Sequence, residues 1–197
     1  LKDAASVYSG KGEIIAIGSS TGGPQALFEV IKNFRNVSVP IIVTQHMPKT
    51  FTALLAKHIT QNCDITCYEA ENGMAIQKGC VYIAPGGYHL TLKKDGTNLV
   101  ARVIDTPPEN YCKPSVDPMM RSALSLFGKK TLGVMLTGMG NDGLESFRNL
   151  ADQGGRVIAQ DEQTSVVRGM PGAVATAGIC ASVLPLEKIG PEVVKFV

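Results

Sequence analysis

Charge is scarce in this sequence. Of 197 residues only 18% are Asp, Glu, Lys or Arg, and 19 basic against 17 acidic side chains leave a formal net charge of +2. Globular domains usually carry about a quarter charged residues. Scarce charge beside an apolar fraction of 44% excludes a disordered chain. So small an excess of positive charge gives no case for gripping a nucleic-acid backbone, which takes clustered Lys and Arg. Paired cysteines are missing too: Cys63, Cys67, Cys80, Cys112 and Cys180 contain no C-x-x-C. The close pair, Cys63 and Cys67, has no second pair to complete a tetrahedral zinc site. No metal and no cofactor is expected, and the cysteines read as free, mostly buried thiols of a reducing cytoplasm. Leu1-Lys2-Asp3 opens without the charged and apolar regions of a secretory signal. The uncharged stretch from Gly169 to Leu186 is broken by Gly169, Pro171, Gly172, Gly178 and Pro185, poor material for a membrane span.

What is present is alternation. Residues 1–12 are small, polar and unpatterned, and read as the remnant of a linker ahead of one domain over 13–197. Ile14 to Ile17 is a β-branched run, and Pro24 to Phe34 has helical spacing with proline in the first turn, where a missing N–H costs nothing. Ile41 to Val43 reads as a second buried strand, followed by a helix over 51–59. Strands without polar alternation, separated by helices, imply a doubly wound α/β fold: a mostly parallel sheet covered on both faces. The middle departs from this. A strand over 80–84 precedes an antiparallel hairpin, 90–92 with 99–104, around Asp95-Gly96. A proline-punctuated loop over 106–118 and a helix over 119–127 follow. Alternation then resumes with a strand at 132–136, a helix at 144–151 and a strand at 157–159.

Two glycine-rich turns carry chemistry. Gly18-Ser19-Ser20-Thr21-Gly22 fits G-x-S-x-G, the strand–turn–helix elbow that exposes a serine at the carboxyl edge of a sheet. The helix behind it offers N–H groups and a positive dipole end. The same geometry cradles phosphates, so an anion-binding loop stands level with a nucleophile on these residues alone; no Gly-Lys-Ser/Thr follows, so it is not a Walker loop. A serine nucleophile needs a base, and there are 3 histidines. His46 ends an apolar strand at the edge where open α/β sheets hold their ligands. His58 lies within a helix and reads as a surface or packing residue. His89 follows a Pro85-Gly86-Gly87 turn in antiparallel surroundings. The second turn, Gly138-Met139-Gly140-Asn141-Asp142-Gly143, reads as G-x-G-x-x-G, with Asp161 placed as a ribose-binding acid would be. A dinucleotide-dependent enzyme is therefore a rival reading. Against it, Asp142 would set a carboxylate beside a pyrophosphate, whereas an ionised acid at a strand end is what a catalytic histidine requires.

Six segments, IGSSTGGPQAL (17–27), TQHMP (44–48), VYIAPGGYHL (81–90), PSVDPMM (114–120), GVMLTGMGNDG (133–143) and IAQDEQTSVVRGMPGAV (158–174), fall in an order that resembles the catalytic domain of bacterial chemotaxis protein-glutamate methylesterases. The resemblance implies a serine hydrolase that releases methanol from γ-glutamyl methyl esters on the cytoplasmic helices of chemoreceptors and deamidates certain receptor glutamines. It places the family's nucleophile on Ser20, its histidine on His46 and its aspartate on Asp142, with the Met139 N–H in an oxyanion site. The Thr21 N–H joins it from the elbow geometry. Ser19 stands where the family usually has Ala, so Ser19 and Ser20 must be told apart. The resemblance also implies an N-terminal receiver domain that blocks the site until phosphorylated, and a fragment without it should ignore phosphodonors. Receptor docking is expected on the loop 105–118 and on Val166 to Pro171. A non-catalytic receptor-binding module is the remaining alternative.

Overall fold

The computed structural model describes residues 1–197. Seven strands form one parallel sheet: β1 (Ile14–Ser19), β2 (Ile41–Gln45), β3 (Cys67–Glu69), β4 (Val81–Ile83), β7 (Thr131–Met135), β8 (Arg156–Gln160) and β9 (Ser182–Leu184), in the order β3-β4-β2-β1-β7-β8-β9. β5 (His89–Asp95) and β6 (Asn98–Ile104) pair antiparallel as a separate hairpin, with Asp95 opposite Asn98 and Gly96 at a φ of 60° starting the two-residue loop. A glycine at the first central position is what such a tight loop demands.

Side chains of β1 alternate between two cores, as strand geometry requires. Ile14 and Ala16 face one cluster with the hairpin and three helices: α3 (Val116–Phe127), α4 (Leu144–Asp152) and α5 (Gly169–Thr176). Ile15 and Ile17 face the other, packed by α1 (Gly23–Ile31), α2 (Phe51–Cys63) and α6 (Leu186–Val194). Two buried faces explain why the strands read as unbroken apolar runs. The doubly wound reading holds, with the hairpin packed on the α3 side.

The details differ in places. α3 begins at Val116 rather than 119, because Pro118 falls in the first turn, where its lack of an N–H breaks no bond. β3, β9, α5 and α6 are additional elements. The uncharged stretch from Gly169 to Leu186 is α5, a turn and the edge strand β9, and no helix is long and apolar enough to cross a membrane. Residues 1–12 run along the domain, tied by Lys2 N–H to Cys180 O, Tyr8 N–H to Gly154 O and Gly12 N–H to Phe196 O.

The winding decides where a site can form. From β1 the chain builds outward through β2, then crosses to β7 on the other side of β1. Strand order reverses around β1, and the crevice above the carboxyl ends at such a point is where open α/β sheets bind ligands.

Candidate active site

The register of the parallel ladder brings the two chemistry-bearing strand ends together. Ser19 pairs with Gln45, so Ser20 and His46 are the next residues out on neighbouring strands, and His46 N–H continues the ladder by donating to Ser19 O at 3.0 Å. Gln45 fastens the pair from below. Its Nε2 donates to Ser20 O (2.9 Å) and to His46 O (3.1 Å), while its Oε1 accepts from the Ser19 hydroxyl at 2.5 Å. Ser19 is thus fully buried and committed, whereas Ser20 is partly exposed. Gly22 caps α1 in the left-handed region (φ 80°), and a Cβ on Gly23 would lie 1.8 Å from Gln45 Oε1. Both positions require glycine.

A third glycine fits the second turn against the first. A Cβ on Gly138 would stand 2.8 Å from Ser20 Cβ, 2.9 Å from Ser20 N and 2.5 Å from Met170 Sδ. Ser20 N–H donates to Thr137 O at 3.0 Å, so this approach is fixed by backbone. Gly138→Ala is expected to lower the unfolding free energy by about 1–3 kcal/mol, the usual cost of overpacking, read as a lower urea midpoint. An unchanged midpoint would show that the two turns are not held in contact.

The acid and the imidazole meet. Asp142, 2% exposed, receives four hydrogen bonds: His46 Nε2 at 2.6 Å and Val116 N–H at 2.7 Å on Oδ2, Ser115 Oγ at 2.7 Å and Asn110 Nδ2 at 2.8 Å on Oδ1. Val116 is the first residue of α3, so the positive end of that helix also faces the carboxylate. Burial pushes the Asp142 carboxyl up, but His46, the Val116 N–H and the Ser115 hydroxyl outweigh it and hold the carboxyl below its usual range. Burial likewise works to lower His46, and the Asp142 bond together with the neighbouring Cys112 thiol overcomes it, raising His46 from 6.5 to about 9. With Nε2 turned to Asp142, the other ring nitrogen, Nδ1, faces Cys112 Sγ at 3.6 Å. Ser20 is not among the partners of the ring. Bonds of this kind often tighten only when substrate is bound.

A wider frame supports this pair. Asn110, in the left-handed region (φ 53°), bridges Asp142 to the buried Asp117, and Asp117 accepts from the N–H and hydroxyl of Ser146. Ser115 N–H donates to Nδ1 of buried His89, whose Nε2 donates to Pro107 O, so His89 holds the loop rather than facing solvent. His58 is exposed on α2. Asp161 Oδ1 accepts from the N–H and hydroxyl of Thr164, a local turn, and Asp142 is turned inward; neither is free for a dinucleotide. The N–H groups of Thr21 and Met139 donate to no protein group, and the Met139 side chain is exposed. Gln45, Asn110, Cys112, Ser115 and Asp117 are site residues that pattern reading missed. The sequence signal for two of them was a serine and an acid flanking a helix start in PSVDP (114–118). His46, Cys112 and Asp142 present ligand atoms within 4.8 Å of one another, the one group in the chain with the makings of a cation site.

A parallel α/β sheet carrying an acid–imidazole pair and a glycine-elbow serine at its switch point defines a class of protein built for acid–base chemistry at a strand edge. The CheB methylesterase family model matches residues 15–193, and the chain belongs to that family. It is 54% identical over 188 residues, 95% of its length, to the protein-glutamate methylesterase/protein-glutamine glutaminase of group 2 operon of Rhodospirillum centenum. It is 55% identical over 194 residues, 97% of its length, to the protein-glutamate methylesterase/protein-glutamine glutaminase of Azospirillum brasilense. These alignments cover 48% and 49% of the two relatives, so the chain spans about half the length of the curated relatives it matches. The crystal structure of the Thermotoga maritima CheB methylesterase catalytic domain superposes with a TM-score of 0.91 at 41% identity, covering 96% of this chain and 100% of that one.

Proposed function

We propose that this chain is a protein-glutamate methylesterase domain that hydrolyses γ-glutamyl methyl esters of chemoreceptors and deamidates receptor glutamines by the same route. The observation that carries the reading is the 2.6 Å bond between His46 and buried Asp142 at the strand edge where register sets Ser20. Ser20 Oγ attacks the ester carbonyl as His46 takes its proton on Nδ1, the nitrogen that Asp142 leaves available. Asp142 fixes the tautomer and stabilises the imidazolium. The unengaged N–H groups of Met139 and Thr21 hold the oxyanion. His46 then protonates the departing methanol, or ammonia in deamidation, and water repeats the sequence on the acyl-enzyme. No cofactor enters these steps.

Exposed Tyr111, Met139 and Val166 surround the site and supply apolar contacts for a helical receptor surface. The cytoplasm is the compartment where such a surface is met. A receiver domain in the remainder of a longer protein is the partner expected in the same chain.

Methanol release from methylated receptor membranes tests the reading. Wild type and Ser19→Ala are expected to release methanol, with Ser20→Ala and His46→Ala reduced by at least about 10³-fold. Activity in Ser20→Ala would remove the nucleophile assignment. Receptor binding with no release by wild type would leave a docking module.

A further inference from the structure

We infer that His46 Nδ1 and Cys112 Sγ form a binding site for a thiophilic divalent cation, Zn²⁺ by its chemistry, and that occupancy switches the domain off. The metal site stands on geometry alone; the inhibition rests on the reading of His46 as the base.

The two atoms are 3.6 Å apart. Zinc binds thiolate sulfur at about 2.3 Å and imidazole nitrogen at about 2.0–2.1 Å, and a tetrahedral angle between those bonds sets sulfur and nitrogen about 3.5–3.6 Å apart. The observed separation of 3.6 Å matches the span of a zinc ion bound to both atoms. The far side of the ring is already furnished as a metal-binding histidine requires. A metal-bound imidazole usually donates its other N–H to a carboxylate, which fixes the tautomer and aims the lone pair. Here Nε2 is held by Asp142 at 2.6 Å, and Asp142 is itself anchored by Val116 N–H, Ser115 Oγ and Asn110 Nδ2.

The thiol is held in place with similar care. Glu109 and Cys112 exchange both backbone hydrogen bonds, at 3.0 and 2.9 Å, across Asn110 and Tyr111. Both of those residues lie in the left-handed region, with φ of 53° and 64°, an arrangement that costs energy and persists only where surrounding contacts hold it. This tight loop sets Cys112 beside His46 Nδ1. Cys112 is partly exposed, and with His46, Pro48 and Lys113 it lines an open groove of about 330 Å³. The groove gives a cation a way in and leaves water to complete its coordination. Nitrogen with sulfur selects zinc over magnesium or calcium, which take oxygen ligands.

Binding is balanced simply. Aqueous Zn²⁺ exchanges waters for the two protein ligands as it becomes tetrahedral, the Cys112 thiol and the protonated His46 ring each release a proton to solvent, and the Nδ1 lone pair so freed becomes a metal bond. That lone pair is the one that must accept the Ser20 proton, so a metal-loaded domain has no base. Removal of the ion by a chelator restores it.

Cobalt(II) in place of zinc makes the site visible. Titrating the 197-residue chain with Co²⁺ should produce a thiolate-to-cobalt charge-transfer band that saturates at one equivalent and vanishes with EDTA. Cys112→Ser and His46→Gln should each abolish it. Cys80→Ser, which removes the other partly exposed thiol, should keep it. In the methanol-release assay Zn²⁺ should inhibit wild type reversibly, and Cys112→Ser should need at least about tenfold more zinc, each protein referred to its own metal-free rate. No band in wild type, or a band that survives Cys112→Ser, overturns the site. A proper band beside undiminished methanol release overturns the inhibition and tells against His46 as the base, because the band reports the metal independently of turnover.

Discussion

Asp142→Asn is expected to lower methanol release by about 10⁴-fold, the scale seen when the acid of a serine–histidine–acid triad becomes an amide. The geometry gives two reasons. An amide at this position is neutral, so it cannot stabilise an imidazolium as the carboxylate does. It also breaks the pattern of four donors converging on one carboxylate. If the new NH₂ faces His46, it confronts the Val116 N–H, which belongs to a helix end and cannot rotate. If it faces the other side, it meets Ser115 Oγ, which can turn and accept, and Asn110 Nδ2, which can flip only by giving up its bond to Asp117. The second arrangement costs less, so the variant should fold with a loss of about 1–3 kcal/mol, the cost of one imperfectly satisfied buried polar group. A melt that finds Asp142→Asn folded, combined with methanol release within tenfold of wild type, would remove Asp142 from the mechanism. A variant that does not fold would leave Ser115→Ala, which deletes one donor, to report the acid's contribution.

The same contrast between backbone pattern and tertiary bonding governs how much of this molecule is legible in its sequence. The central strands are readable because both faces are buried, so Ile14 to Ile17 and Ile41 to Val43 are apolar without interruption. Ser20 and His46 are readable as candidates because each directly follows such a run, and parallel register then carries them to adjacent positions. The edge strands β3 and β9, three residues each, are too short to show any period. α6 contains Gly190 and Pro191, which argue against a helix locally, yet Gly190 lies where a Cβ would stand 2.9 Å from Val30 O, so close packing on α1 decides. In the site, Gln45 looks like one more strand residue, and its role in tying Ser20 to His46 exists only once β1 and β2 pair. Asn110, Cys112 and Ser115 sit in a loop without periodicity, and their meeting with His46 and Asp142 spans 27 to 66 residues of sequence. What a pattern conveys is which strand ends face the crevice; which loop residues reach across it is set by the fold.

Raising the pH from 7 to 9 is expected to increase kcat/KM by roughly fiftyfold, because a base raised to about 9 is about one per cent neutral at pH 7 and half neutral at pH 9. Only the neutral imidazole can take the Ser20 proton, so the rising limb reports His46 in the free enzyme. The forces behind the shift make the profile diagnostic. Burial opposes the charged ring, and Asp142 is the main partner that overcomes burial. In Asp142→Asn the residual activity should therefore rise at lower pH, with its limb below that of wild type. Stability should run in the opposite direction. The folded state binds the His46 proton more tightly than the unfolded chain does, so this stabilisation is complete below about 6.5 and is lost as pH rises through about 9. The Asp142 carboxyl, held low, contributes above the unfolded carboxylate value and loses its contribution as pH falls through its own depressed value. Thermal melts of wild type and His46→Gln should accordingly converge between pH 6 and pH 9, while wild-type activity climbs over the same interval. A rate limb at 6.5 in wild type, with no convergence of the melts, would mean that the bond between His46 and Asp142 does not hold the proton on the ring. The resting enzyme would then already carry its base in the neutral form, and the acid would act only when the imidazolium forms.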